Sequence, residues 1–291
     1  MFSQKQTTHS TESYSEKIAK IKDLINNAEA IVIGAGAGLS TSAGLEYGGE
    51  RFQKLFPDYI KKYKLTDMYT SAFYPFNTQE EYWGYWCLHV YHNRYDAKLN
   101  DTYSKLLELV ENKAYFVITT NGDHQFRLNK FPKERLFYTQ GDYGTFACAK
   151  GCHKKTYDNE KMIRKMISSL NDLKISSDLI PYCPVCGGNM TVNLRKDSNF
   201  VEDEGWHEAC DNYTKFISHN KDKKVLYLEL GVGYNTPTII KYPFWQMTYR
   251  NKNANYVCIN LDDCYCPKEV EAQSICVNGD IGAVIKACLC E

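Results

Sequence analysis

Two closely spaced cysteine pairs carry the clearest chemical signal in the sequence. The first pair is Cys148 and Cys152 and the second is Cys183 and Cys186, with 30 residues between them. Each pair can bring two thiolates to one tetrahedral ion, and four protein ligands leave no position for water. The spacing therefore predicts one structural Zn²⁺, worth on the order of 10 kcal/mol to the folding of its module. His153 could replace a cysteine, although a solvated histidine is the simpler interpretation, and four unligated thiols are the alternative.

A glycine-rich loop follows an apolar segment near the start of the sequence. Residues 30–33 are apolar and largely β-branched, and Gly34, Gly36 and Gly38 follow directly. The backbone N–H groups of such a loop can approach a pyrophosphate, which the start of the next helix also attracts. The third glycine comes one position early for the dinucleotide fingerprint, and no strand ending in an acidic residue follows about 20 residues later. The loop predicts a nucleotide site unlike that of a dehydrogenase, or else a tight turn without a ligand.

Further apolar segments indicate the fold that positions this loop. Residues 13–28 have helical spacing, and Ser13 and Glu16 are placed to form a capping box. Buried strands separated by helical stretches are predicted at residues 115–118, 136–138, 225–230 and 256–261. This alternation predicts an α/β fold with a doubly wound, Rossmann-like parallel sheet.

The chain divides into segments of three kinds. Residues 46–114 are polar and aromatic and predict a mostly helical insertion. Residues 146–192 contain the cysteine pairs and predict a small zinc-binding module. The nucleotide-binding part is predicted to comprise residues 30–45, 115–145 and 222–285.

Composition and charge exclude several classes of protein. Of the 291 residues, 43% are hydrophobic, which is enough for a sizeable core. Lys and Arg number 35, as do Asp and Glu, so no overall charge favours nucleic acid or an anionic membrane surface. The polar first ten residues lack the apolar segment of a signal peptide, and no apolar run is long enough to span a bilayer. We expect a cytoplasmic protein that binds neither nucleic acid nor membrane, with its 12 cysteines as thiols and metal ligands.

The order of these motifs resembles the sirtuin family across nearly the whole chain. Residues 34–44 are similar to the family's NAD loop, and Thr120–Asp123 occupies the place of its Gln-Asn-Ile-Asp turn. Residues 231–237 resemble its ribose and phosphate loop with a downstream proline, and Asn260–Leu261 resembles its Asn-Leu pair near the adenosine ribose. Residues 279–281 are similar to its late turn, which contacts adenine.

The resemblance implies that residues 1–291 form one sirtuin-like catalytic domain with NAD as co-substrate. Asn121 and Asp123 would lie beside the nicotinamide ribose, and Phe52 would screen the nicotinamide. The implied NAD-binding residues are Gly34, Ala35, Gly36, Ser40, Gly44, Leu45, Phe52, Thr120, Asn121, Asp123, Gln140, Gly231, Val232, Gly233, Asn260, Asp280 and Ile281.

Three departures from the family pattern change the activity that it implies. The family's catalytic histidine precedes a glycine shortly before the zinc cysteines, and here Gln140 precedes Gly141. Residues 44–52 lack the proline of the family's Gly-Ile-Pro-Asp-Phe-Arg segment, and Phe200–Glu202 replaces its peptide-binding Phe-Gly-Glu. Together these changes resemble the macrodomain-linked class M branch, whose members carry the glutamine and act as protein ADP-ribosyltransferases.

The glutamine has a chemical consequence. Cleavage of the nicotinamide bond passes through an oxocarbenium-like ribose, which Asn121 and Asp123 can favour by positioning and electrostatics. Deacylation also requires a base for the ribose hydroxyl, and a neutral amide cannot accept that proton, which typically costs 10²- to 10⁴-fold in rate. Transfer of ADP-ribose to a carboxylate or similar nucleophile needs no such base. We predict catalytic roles for Asn121, Asp123 and Gln140, with Gln140 bonding the ribose hydroxyls or orienting the acceptor.

Other interpretations remain open at this point. A deacylase could use His124 as its base, a protein that only senses NAD or ADP-ribose would bind without turnover, and Gln140 could be a packing residue in a degenerate site. The class M resemblance implies a lipoyl carrier similar to the glycine cleavage H protein as acceptor. It also implies a macrodomain hydrolase and a lipoate ligase as partners, in a microbial response to oxidative stress. We expect scattered reduced thiols, and not a second metal site, at the carboxy-terminal cysteines Cys264, Cys266, Cys276, Cys288 and Cys290.

Overall fold

The computed structural model describes residues 12–234 and 237–290. The α-helices are α1 (Tyr14–Asn27), α2 (Ala37–Ser42), α3 (Gly49–Leu55), α4 (Pro57–Tyr63), α5 (Met68–Ser71), α6 (Gln79–Val90), α7 (Thr102–Val110), α8 (Gln125–Leu128), α9 (Glu160–Ser169), α10 (Glu204–Asn220), α11 (Lys241–Arg250) and α12 (Ile281–Leu289). A π-helical turn, Tyr91–Tyr95, continues α6, and 3₁₀ turns occur at Lys133–Arg135, Ser177–Leu179 and Lys268–Gln273. The strands are β1 (Ala30–Ala35), β2 (Tyr115–Thr119), β3 (Leu136–Tyr138), β4 (Gly141–Cys148), β5 (Tyr157–Asp158), β6 (Met190–Leu194), β7 (Val225–Leu230), β8 (Asn255–Asn260) and β9 (Ser274–Asn278).

A six-stranded parallel sheet organises the described residues. Its strand order is β3-β2-β1-β7-β8-β9. The two faces of β1 pack into different clusters of buried side chains. Ile31 and Ile33 belong to one cluster, and Val32 belongs to the other. The predicted α/β fold with a doubly wound parallel sheet is therefore confirmed. Strand β9 was not predicted, because Ser274, Cys276 and Asn278 interrupt its apolar pattern.

Helix α1 forms where the sequence predicts it. The Ser13 hydroxyl accepts a hydrogen bond from the Glu16 N–H at 3.3 Å, and the Ser13 N–H donates to the Glu16 carboxylate at 2.7 Å. This confirms the capping box, which satisfies two N–H groups at the helix start. The helix buries Ile18, Ile21 and Ile25 against the sheet core.

A second core joins the helical insertion to the small module. In the module, β4 pairs antiparallel with β5 and β6. Trp83 of α6 packs edge-to-face on Phe146 of β4, with ring centroids 4.9 Å apart. This core holds α6 beside the edge of the main sheet, where the predicted nucleotide loops lie.

Among the described residues, none of the helices has the length and apolar character needed to cross a membrane.

Backbone contact between two glycine loops fixes the carboxyl edge of the sheet. The Gly38 N–H donates to the Gly231 carbonyl at 2.9 Å, and the Gly36 N–H donates to the Leu230 carbonyl at 3.0 Å. Gly231 has φ +65°, and a Cβ atom there would lie 2.5 Å from the Gly38 Cα. No side chain fits between the loops after β1 and β7, so both loops keep glycine for close approach.

We predict that Gly231→Ala destabilises the protein by about 2–5 kcal/mol, because it adds a backbone clash to the cost of a left-handed non-glycine residue. Gly49→Ala is the control, since Gly49 has a similar φ of +59° but a Cβ atom there would lie 3.8 Å from the Glu46 carboxylate, an ordinary contact distance. That variant should lose only about 1–2 kcal/mol. Urea unfolding measures both losses, and equal losses would contradict the interlocked loops.

Candidate active site

A cavity of about 440 Å³ opens beside the glycine loops, and we call it the central cavity. Five residues predicted to bind NAD line it: Gly36, Thr120, Asn121, Gln140 and Gly233. They come from the loops after β1, β2, β3 and β7, which the parallel sheet brings to one edge. The carboxyl edge of a parallel sheet, where strand order reverses, is the usual place for a nucleotide in such folds.

Asn121 is held in a fixed orientation at this edge. Its side-chain N–H₂ donates to the Gly36 carbonyl at 2.9 Å and to the Ser40 hydroxyl at 3.0 Å. The Asn121 N–H in turn donates to the Thr119 hydroxyl at 3.1 Å. The side-chain amide therefore links the loop after β2 to the loop after β1.

Asp123 is linked to Asn121 through the Ser40 hydroxyl and is not among the residues that line the central cavity. Its carboxylate accepts hydrogen bonds from the Ser40 hydroxyl and, at 3.1 Å, from the Gln125 N–H. The Ser40 hydroxyl also contacts the Tyr103 hydroxyl at 2.9 Å. Burial raises the pKa of Asp123 above its usual value, against the lowering effect of these hydrogen bonds. In this arrangement Asp123 anchors Ser40, which in turn anchors Asn121.

Gln140 lies between β3 and β4 and lines the central cavity. Its carbonyl accepts a hydrogen bond from the Arg195 N–H at 3.0 Å. The next residue, Gly141, has φ +96°, and a Cβ atom there would lie 1.9 Å from the Asn193 carbonyl oxygen. The close approach of β6 therefore requires glycine after Gln140 and fixes the position of the Gln140 backbone.

His124 does not line the central cavity. Its Nδ1 lies 2.7 Å from one oxygen of Asp142, and Arg94 Nε lies 2.9 Å from the other. The His124 ring stacks on Tyr138 at a centroid distance of 5.4 Å. Burial would raise the pKa of Asp142, but His124 and Arg94 outweigh it and lower that pKa to about 2. His124, Tyr138 and Asp142 line a second cavity of about 600 Å³, which we call the outer cavity.

Other predicted NAD-binding residues lie around the same sheet edge but outside the lining of the central cavity. Asn260 donates to the Val232 carbonyl at 3.2 Å, and the Gly279 N–H donates to the Asn260 carbonyl at 3.1 Å. Asp280 caps α12 and accepts a hydrogen bond from the Ser42 hydroxyl at 2.8 Å. These contacts join the loops after β7, β8 and β9 to α2, next to Ile281 at the start of α12.

Three predicted residues are placed mainly by packing. Gly34 lies within β1 beneath Ile240 and Phe244, and Leu45 is buried. Phe52 is buried and stacks on Phe56 with ring centroids 5.2 Å apart. Ala35 and Gly44 also lie outside the lining of the central cavity, at the end of β1 and after α2. Residues 235 and 236 of the predicted phosphate loop lie outside the described residues.

Sequence reasoning missed several residues that line the central cavity. They are Tyr47, Trp86, His89, Tyr143 and Arg195, among others. The Tyr47 and Tyr143 hydroxyls lie 2.5 Å apart, although 96 residues separate them in sequence. The only local signal was the aromatic character of α6, where Trp86 and His89 share one helix face at a spacing of three residues.

The four predicted cysteine ligands come together in the small module. All four sulfur atoms lie within 4.8 Å of one another, with Cys148 and Cys186 3.6 Å apart and Cys152 and Cys183 also 3.6 Å apart. Tetrahedral zinc with Zn–S bonds of about 2.3 Å places its sulfurs about 3.8 Å apart, so the cluster fits this ion. Within residues 12–234 and 237–290 it is the one such group, and the carboxy-terminal cysteines form no second group of this kind.

His153 lies next to this cluster. Its Nδ1 is 3.1 Å from Cys152 Sγ, and its Nε2 is 2.9 Å from the Tyr157 hydroxyl. With four thiols already gathered, His153 is better placed to hydrogen-bond a ligand sulfur than to replace one.

Comparison with known proteins relates this geometry to a family. No family model matches the chain. The solved structure of Sir2Tm bound to a propionylated peptide has a TM-score of 0.60 and 20% identity, over 93% of this chain and 96% of that one. A structure of Sir2 with a p53 peptide and NAD⁺ has a TM-score of 0.56 and 19% identity, over 92% and 95%. A protein ADP-ribosyltransferase of Staphylococcus aureus is 39% identical over 270 residues, which cover 92% of this chain and 86% of the relative. The chain belongs to the sirtuin family.

Other relatives of this sirtuin differ in their named activities. A probable bifunctional ADP-ribose hydrolase/ADP-ribosyltransferase of Fusarium oxysporum is 31% identical over 284 residues, and the match spans 91% of this chain but 46% of that protein. An NAD-dependent protein deacetylase of Clostridium perfringens is 25% identical over 281 residues, covering 93% and 97% of the two chains. Two relatives with higher identity therefore carry transferase names, and one with lower identity is named a deacetylase.

We predict one zinc ion per chain by elemental analysis of protein purified without chelator. Cys183→Ser should lose the metal and unfold at lower temperature, because the module loses one of the ligands that order it. Cys210→Ser is the control, since Cys210 lies on α10 outside the cluster. Metal-free protein with an unchanged melting temperature would contradict a structural zinc.

Proposed function

We propose that this sirtuin is an NAD-dependent protein ADP-ribosyltransferase of class M, which releases nicotinamide and transfers ADP-ribose to a protein acceptor. The observation that carries the proposal is Gln140, which lines the central cavity together with Asn121 and stands at the position where the family resemblance expects the catalytic histidine. The identity to the S. aureus transferase supports the proposal independently.

Asn121 is the residue best prepared to act on the nicotinamide ribose. Its amide is already held by Gly36 and Ser40, so little reorganisation is needed when charge develops on the ribose. Asp123 contributes through Ser40, because its carboxylate holds the hydroxyl that Asn121 contacts. We assign Gly36, Gly231, Val232, Gly233, Asn260, Asp280 and Ile281 to the phosphates, ribose and adenine of the same NAD.

Gln140 supports transfer and disfavours deacylation. Its neutral amide can donate to and accept from the ribose hydroxyls or the acceptor, but it cannot take a proton from a hydroxyl at physiological pH. His124 offers no substitute base in the described structure, because it pairs with Asp142 and faces the outer cavity. Transfer to an already ionised acceptor group requires no base.

Phe200–Glu202 stands where the family binds an acyl-lysine peptide as an added strand, and its backbone already makes hydrogen bonds within the chain. The Val201 N–H donates to the Asn193 side-chain oxygen at 3.0 Å, and the Asn193 side chain donates to the Val201 carbonyl at 3.0 Å. Both backbone groups of Val201 are therefore engaged within the chain. An incoming peptide strand would have to displace Asn193 to pair there.

We propose a lipoyl carrier similar to the glycine cleavage H protein as the acceptor. The rim of the central cavity carries Tyr69 and Phe73, whose side chains are more than half exposed, and these suit an apolar arm. Arg195 and Lys196 on the same cavity suit an acidic carrier surface. A macrodomain hydrolase and a lipoate ligase would act beside it in the cytoplasm, and the bifunctional name of the longer Fusarium relative supports the hydrolase.

The Gln140→Ala variant should lose ADP-ribose transfer and keep its affinity for NAD. We expect the rate of ADP-ribose transfer to fall about 10²-fold, the cost of one positioned hydrogen bond in the transition state, while NAD affinity stays within about tenfold. The assay follows label from NAD onto lipoylated carrier protein, with calorimetry for NAD and ADP-ribose. Gln53→Ala is the control, because Gln53 is exposed on α3 away from the cavity. Unchanged transfer by Gln140→Ala would contradict the assignment.

Gln140→His should not create a deacylase. Histidine supplies a base of suitable pKa, but the Val201 backbone remains bound to Asn193, so an acyl-lysine peptide still lacks its pairing strand. We expect no more deacylation of acetyl-, lipoyl- or longer acyl-lysine peptides by this variant than by wild type, measured by mass spectrometry. Efficient deacylation by Gln140→His would show that the occupied strand is no obstacle.

A further inference from the structure

Two buried polar atoms on the central cavity have no partner among the described residues. They are Trp86 Nε1 and His89 Nε2. Each side chain is 1% exposed, and both line the cavity that also contains Asn121 and Gln140. Buried polar groups are nearly always hydrogen-bonded, because an unpaired one costs about 1–3 kcal/mol. Two such atoms on one cavity therefore suggest groups reserved for a ligand.

The contacts of Tyr85 determine which of the two atoms accepts. The Tyr85 hydroxyl lies 3.1 Å from the Met68 carbonyl and 3.1 Å from His89 Nδ1. It carries one proton, and the carbonyl can only accept. When Tyr85 donates to Met68, Nδ1 must carry the proton that bonds to Tyr85, which leaves the lone pair of Nε2 free. Burial lowers the pKa of His89 to about 3, assisted by the charge of Arg51, so the ring stays neutral at physiological pH.

A donor and an acceptor thus lie side by side. The Trp86 indole can only donate and His89 Nε2 accepts, and their ring centroids are 5.0 Å apart. Tyr47 and Tyr143 pack edge-on to the His89 ring, at 5.9 Å and 4.9 Å, and bond to each other through their hydroxyls. The surroundings of the pair are therefore aromatic and uncharged, which suits a flat, neutral ring.

Building on the proposed function, we propose that Trp86 and His89 form a carboxamide-binding subsite for the nicotinamide of NAD. The Trp86 N–H donates to the carboxamide oxygen, and the carboxamide N–H₂ donates to His89 Nε2. Asp123 is not available for this role in the described structure, because Ser40 and Gln125 already bond to its carboxylate. Adenine also offers a donor beside an acceptor, but its proposed contacts, Asp280 and Ile281, lie after β9.

The subsite has a consequence for specificity. Nicotinic acid adenine dinucleotide carries a carboxylate in place of the amide, so it has no N–H for His89 and sets a negative oxygen against the Nε2 lone pair. A site built to pair with an N–H group rejects an analogue that lacks it, because the site's own polar atom is left unpaired. Wild type should bind NAD at least about tenfold more tightly than the acid analogue.

Binding of three ligands to four proteins tests the subsite. The ligands are NAD, the acid analogue and ADP-ribose, which lacks the nicotinamide, and the proteins are wild type, His89→Phe, His89→Gln and Trp86→Phe. His89→Phe should weaken NAD binding about tenfold and abolish the preference for amide over acid, with ADP-ribose affinity unchanged within twofold. His89→Gln, whose amide oxygen can replace Nε2, should keep the preference. Trp86→Phe should weaken NAD and the acid analogue alike.

The outcomes separate this proposal from the proposed function. If wild type binds neither NAD nor ADP-ribose, the proposed function fails. If ADP-ribose binds normally but His89→Phe keeps the full preference for the amide, the subsite is wrong and the function stands. Should His89→Phe not fold, wild type alone decides with acetylpyridine adenine dinucleotide, which keeps the carbonyl but has no N–H. Binding as tight as that of NAD would overturn the role of His89, and about tenfold weaker binding would support it.

Discussion

The backbone contact between the loops after β1 and β7 is the constraint on which the rest of the site depends. Gly36 and Gly38 approach Gly231 so closely that no side chain fits between them. This contact brings the ends of two neighbouring parallel strands into one surface. Asn121, from the loop after β2, then bonds to the Gly36 carbonyl and joins a third strand end to it. The loops after β1 and β7 are thus positioned by main-chain packing more than by flexible side chains.

Our proposal for the reaction rests on two neutral side chains at this edge of the sheet. Gln140 and Asn121 are amides, and Asp123 is buried beneath Ser40 with its pKa raised. The ion pairs of Asp142 with His124 and Arg94 face the outer cavity instead. In the proposed reaction, these amides promote departure of nicotinamide by positioning, and Gln140 cannot deprotonate a ribose hydroxyl as a histidine would. The fold is that of a sirtuin, and the amide of Gln140 on its central cavity is the basis for our proposal of transfer.

The sequence predicted features with short-range signals and missed those that depend on tertiary contacts. The parallel sheet, the capping box at Ser13 and the zinc cysteines all follow from local spacing, and the structure has them where they were expected. Tyr143 and Trp86 reach the central cavity only because the second core packs α6 against the small module. Strand β9 was missed because polar residues break its pattern, and His124 was considered as a base because sequence proximity to Asp123 does not reveal its pairing with Asp142.

We propose that this sirtuin transfers ADP-ribose without a base for the ribose hydroxyl. Product analysis of the wild-type enzyme tests it most directly. NAD is incubated with the enzyme, a lipoylated carrier protein and an acyl-lysine peptide in one reaction, and all products are weighed by mass spectrometry. We expect nicotinamide release matched by ADP-ribose attached to the carrier protein, with the acyl peptide intact. Deacylated peptide together with O-acyl-ADP-ribose, and no modified carrier, would contradict it.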